Sequence, residues 1–132
     1  MDKKQENSYA FIDGTNLHKG ICELGWRLDY KRFRIWLADK YLVKGNCDAE
    51  MVLQTVSDMY EKNYDKAVIV TGDGDFACLA SFLNSRSKLV AVLSPNREKA
   101  SVLLRKAVPE KILFLGRFKD RLEYVKDRQL AK

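Results

Sequence analysis

No Cys-x-x-Cys pair occurs among the three cysteines, Cys22, Cys47 and Cys78, and their number is odd. A disulfide framework and a zinc knuckle are both disfavoured, so a reducing, cytoplasmic compartment is the expectation. No apolar run approaches the ~20 residues of a membrane span, so a membrane partner is not expected. Residues 1–7 are polar, lack a signal-peptide core and are expected to be disordered. No Pro/Ser/Gly-rich linker and no low-complexity segment interrupts the 132 residues, which suit a single domain over 1–132. The one histidine, His18, falls on a helical stretch and is expected to be partly exposed and not catalytic.

Charge is present but unevenly spread. The net value is +6. Residues 1–85 carry 11 Lys/Arg against 13 Asp/Glu, and residues 86–132 carry 13 against 5. An acidic pocket beside a basic surface would suit a phosphodiester substrate; solvated helix faces would account for the same count.

Short apolar runs alternate with helical patterns. Ser8–Ile12, residues 66–71, Lys88–Leu93 and Ile112–Leu115 read as four strands. Helices are expected from Leu17, over 30–42 with Tyr30, Phe33, Leu37 and Tyr41 on one face, over 48–63, over 76–84, from Ser94-Pro95 to near Pro109, and over 117–128 followed by a basic tail. Lys44–Cys47 reads as a turn, and Trp26 and Trp36 as core or rim. Strands alternating with helices imply an α/β fold: a three-layer, Rossmann-like parallel sheet with helices on both faces.

Two of the strand-to-helix turns are acidic. Asp13-Gly14-Thr15-Asn16 follows the first strand, and Thr71-Gly72-Asp73-Gly74-Asp75-Phe76 follows the second. Such turns lie at the carboxyl edge of a parallel sheet, where open α/β folds take their ligands. If the two strands are neighbours, Asp13 and Asp73 converge. Closely spaced carboxylates repel unless a cation lies between them. An all-carboxylate set without histidine fits a hard cation, Mg²⁺ or Mn²⁺, and disfavours zinc. The glycines at 14, 72 and 74 are expected to let the chain turn sharply and a bulky anion approach. Asp13 and Asp75 could equally serve as N-caps. Asp48 opens the 48–63 helix, and spacing alone does not bring it to this edge.

Phe11-Ile12-Asp13-Gly14-Thr15-Asn16-Leu17 and Val68–Phe76 resemble the two signature motifs of NYN domains, in the LabA-like branch of the PIN-like nuclease superfamily. Lys44-Gly45-Asn46-Cys47-Asp48-Ala49-Glu50 resembles their third motif. The resemblance covers about residues 8–115. It implies a Mg²⁺- or Mn²⁺-dependent endoribonuclease, with RNA as partner and Asp13, Asp48, Asp73 and Asp75 as the acidic set. Asp13 and Asp73 would be direct ligands, with Asp75 and Asp48 completing the shell or orienting water. Asn16 and Thr71 would hold carboxylates or a phosphate oxygen, and Arg97 would contact a phosphate. A non-catalytic RNA- or protein-binding module that keeps the pocket is the alternative. An aspartyl phosphatase is disfavoured, because no Asp-x-Asp follows the first strand. Relatives carry a further strand, helix and strand before the Lys-Gly motif, and this chain is shortened there. The shortening would leave Tyr9–Ile12 as an exposed sheet edge, open to pairing with a second copy.

Overall fold

The computed structural model describes residues 8–47, 64–97 and 101–126. Within these, five strands form one parallel sheet in the order β2-β1-β3-β4-β5. They are β1 (Ser8–Ile12), β2 (Val43–Cys47), β3 (Lys66–Val70), β4 (Leu89–Ser94) and β5 (Ile112–Phe114). The helices are α1 (Gly14–Glu23), α2 (Tyr30–Tyr41), α3 (Ala77–Ser85), α4 (Val102–Ala107) and α5 (Lys119–Leu122), with 3-10 turns at Gly74–Phe76 and Leu115–Phe118. The α/β, three-layer expectation is met.

Alternation along the strands builds the layers. Ala10, Val68, Val70 and Leu93 face one side, where Leu17 and Ile21 of α1, Phe33, Trp36 and Leu37 of α2, and Leu115 and Leu122 close the core. Phe11, Ala67, Ile69 and Val92 face the other, against Leu79, Ala80 and Leu83 of α3 and Leu104 of α4. Leu89 and Ala91 stand two residues apart yet serve opposite layers. The cause is a register shift between β3 and β4 at Ala67/Val68, which moves the alternation by one residue. Four of the five β3 residues are buried, as a central parallel strand requires.

Several local expectations are corrected. Lys44–Cys47 is not a turn: it belongs to β2, which pairs in parallel with β1. The sheet therefore has five strands rather than four. Tyr9–Ile12 is not an edge, because β1 lies between β2 and β3. The link from α2 to β2 is Leu42, in the left-handed region at φ 56. Ser94 ends β4 instead of capping a helix; Ser101 caps α4, its side chain accepting from the Leu103 N–H. The last helix is the single turn Lys119–Leu122, not 117–128. It stops because Glu123 turns extended and bridges Leu28, with the Tyr124 N–H donating to the Arg27 carbonyl at 2.8 Å. Val125 is consequently exposed. The expected helix over 48–63, with Asp48, lies outside the described residues, as do residues 1–7 and the tail beyond 126. Among the described residues, no helix is long and apolar enough to cross a membrane.

Candidate functional site

The chain leaves β1 toward β2 on one side of the sheet, whereas β3 is followed by β4 and β5 on the other. The carboxyl ends of β1 and β3 are thus the switch point of the fold, where such sheets open a crevice. The two strands pair directly up to Ile12 opposite Val70, and the Asp13 N–H donates to the Val70 carbonyl at 2.9 Å. Asp13 and the Thr71–Asp75 turn therefore emerge side by side, which is the condition their convergence required.

Short polar side chains fix this junction. Asp13 is the N-cap of α1: its Oδ1 accepts from the Asn16 N–H at 3.2 Å. Its Oδ2 accepts from the Thr71 hydroxyl at 3.1 Å. Thr71 is fully buried, and its Oγ1 also accepts from the Asp73 N–H at 3.1 Å. One hydroxyl thereby links the first acidic turn to the second. Asp73 caps the 3-10 turn, accepting from the Asp75 N–H at 2.9 Å. The cap is therefore Asp73 and not Asp75. Asp73 is half-buried and Asp75 exposed. The Asn16 side-chain oxygen accepts from the Gly72 N–H at 2.7 Å, a second cross-tie between the turns.

Gly72 and Gly74 serve close approach, not sharp turning. None of Gly14, Gly72 and Gly74 has a positive φ; among the described glycines only Gly25 does, at 91°. A Cβ at Gly72 would lie 2.8 Å from Ser94 Oγ, and one at Gly74 would collide with the Ser101 hydroxyl. At Gly14 a Cβ would meet nothing within 4 Å.

Beside the junction lies a cleft of about 540 Å³ between α1 and the end of β4. Asn16, Lys19, Gly20 and Glu23 line it from α1, Gly72 from the second turn, and Ser94, Pro95 and Asn96 from the loop after β4. Lys19, Glu23, Ser94 and Asn96 were not among the site residues expected from the sequence. Positions 16, 19/20 and 23 do fall at i, i+3/i+4 and i+7 after the Asp-Gly motif, so one helical face carried the signal. Arg97 follows the same loop, is exposed, and holds its guanidinium carbon 5.6 Å from the Phe114 ring centroid. His18 is exposed, with Nε2 at 3.7 Å from Cys22 Sγ. Of the described basic residues of the last third, Lys111 lies at the opposite edge of the sheet, donating to the Leu89 carbonyl.

As a cation site, the described junction offers oxygen donors alone. Asp13 and Asp73 supply the carboxylates. No group of three or more His, Cys, Asp or Glu suited to a metal occurs among the described residues. A pair of carboxylates fits Mg²⁺ or Mn²⁺, which keep several waters and use one or two carboxylates together with substrate phosphates. It does not fit a closed zinc site.

An open parallel α/β sheet with an acidic, hydroxyl-tied junction at its switch point is the class that fold and geometry define. The NYN domain family matches residues 32–115, well over half of the chain, and the chain belongs to that family. The matched span includes the Thr71–Phe76 turn and begins after Asp13-Gly14-Thr15-Asn16. The structure is similar to the crystal structure of a protein of unknown function from Vibrio parahaemolyticus. The TM-score is 0.62 at 16% identity, covering 92% of this chain and 99% of that one. At that identity the likeness speaks for the fold alone. No curated protein matches the chain.

Proposed function

We propose that this NYN domain is a Mg²⁺- or Mn²⁺-dependent endoribonuclease of the LabA-like branch, acting in the cytoplasm. The observation that carries the reading is the Thr71 hydroxyl, which joins the Asp13 carboxylate to the Asp73 main chain at the switch point. Two carboxylates held rigidly at a ligand-binding edge have a clear use if a cation and a phosphodiester meet there. Asp13 and Asp73 are the proposed ligands. Asp75, exposed and two residues on, is proposed to orient water. Asp48 is assigned through the third motif and lies outside the described residues.

A divalent cation held by Asp13 and Asp73 would make a water more acidic and would neutralise charge on the phosphoryl oxygens. The chain's own residues do the rest. Thr71 keeps Asp13 in one orientation, so its remaining lone pairs point consistently. Asn16 commits its oxygen to Gly72, which leaves its amide N–H groups as donors to a phosphate oxygen. Arg97, on the exposed loop after β4, is placed in this reading against an adjacent phosphate. Hydrolysis by water leaves a 5′-phosphate and a 3′-hydroxyl.

The test is cleavage of mixed RNA with Mn²⁺, wild type beside Asp73→Asn. The expected result is metal-dependent cleavage by the wild type and a loss of about a hundredfold or more in the variant, with an unchanged melting temperature. Equal cleavage by Asp73→Asn would sink the assignment. A second reading is an RNA- or protein-binding module that keeps the pocket without turnover. In the same assay it predicts RNA retained without metal and no cleavage with it.

A further inference from the structure

We propose that Lys19 holds a substrate phosphate in the cleft between α1 and the loop after β4. The proposal rests on the nucleic-acid reading above and adds a residue to it. A volume of about 540 Å³ is in the range of ligand-sized clefts. Lys19 is the one cationic side chain among the described residues that line it. Its neighbours there are small: Gly20, Gly72 and Ser94. A Cβ at Gly20 would lie 2.5 Å from Pro95 Cγ, so helix and loop pack closely at the residue after Lys19.

The cleft joins the carboxylates through Asn16. That residue lines the cleft, donates its N–H to Asp13 and accepts from Gly72. Lys19 stands one helical turn beyond it, about 4.5 Å along the axis. An ammonium and an amide at that spacing can share one phosphate, immediately beside the Asp13–Asp73 junction.

The experiment measures binding of a short fluorescent single-stranded RNA by anisotropy, without divalent ions, in an Asp73→Asn background so that cleavage plays no part. Adding Lys19→Met should weaken binding about tenfold, the scale of one charge-assisted hydrogen bond. It should also reduce the slope of log affinity against log salt by about 0.7, one phosphate contact on a single strand. Lys19→Arg should restore most of both. Unchanged affinity and slope in Lys19→Met, with RNA still bound, would overturn the role of Lys19 alone. No RNA binding by wild type or by Asp73→Asn would overturn the nucleic-acid reading and Lys19 with it.

Discussion

Thr71 shows how much a single buried hydroxyl can organise. Its donor is spent on Asp13 and its acceptor on the Asp73 N–H, with no exposure to water. Thr71→Val keeps the shape and removes both bonds. The expected cost is about 1–3 kcal/mol of stability, because a partly buried N–H and a carboxylate lose their partner. Denaturant unfolding measures it, and a variant as stable as the wild type would show that the link is not a structural tie. At this scale the sequence was legible where chemistry and position coincide: Asp13 and Asp73 each follow an apolar strand, and β1 and β3 proved to be neighbours. Asn16 and Thr71 were legible as short polar residues inside the same turns. Ser94 and Ser101 were not. Ser94 meets Gly72, and Ser101 meets Gly74, only through contacts between residues more than twenty positions apart, which no local pattern encodes.

Among the elements, those with strong internal signals came through. Helix α2 was expected at 30–42 and runs from Tyr30 to Tyr41. Asp29 starts it, accepting from the Lys31 and Arg32 N–H groups at 3.1 Å each. Asp29→Ala should therefore lower stability by about 1 kcal/mol, read as a lower melting temperature. Because α2 packs Phe33, Trp36 and Leu37 on the sheet, the loss should be global rather than a local fraying. The misread elements share a physical reason. Lys44-Gly45-Asn46-Cys47 has turn composition, yet it is a strand because β1 offers it a ladder of hydrogen bonds. Ser94-Pro95 has the look of a cap and first helical residue, but Ser94 is already paired with Phe114 across β4 and β5. Phe118, Leu122 and Val125 share a helical spacing, but pairing of the chain after Leu122 with Leu28 ends the helix first. In each case a tertiary partner outweighed a local preference.

For the whole molecule, the sheet order decides both the site and the edges. Parallel strands send every strand-to-helix turn to one edge, and the reversal between β1 and β3 opens that edge between the two acidic turns. The same order places β2 outside β1, so a second copy could pair with Tyr9–Ile12 only by displacing β2. The chain passes directly from α2 through Leu42 to β2. The two halves of the junction are thus held in register by β1 pairing with β3 along their length. Within the cleft, the proposed recognition of an anion falls to Lys19 and the amide of Asn16.

The central claim is that Asp13 and Asp73 together hold a hard cation. Crystals grown with Mn²⁺ and measured for anomalous scattering test it most directly. The expected result is a peak at coordination distance, about 2 Å, from carboxylate oxygens of both residues, and its loss in Asp73→Asn. A Mn²⁺ peak elsewhere on the molecule, with none between Asp13 and Asp73, would contradict it.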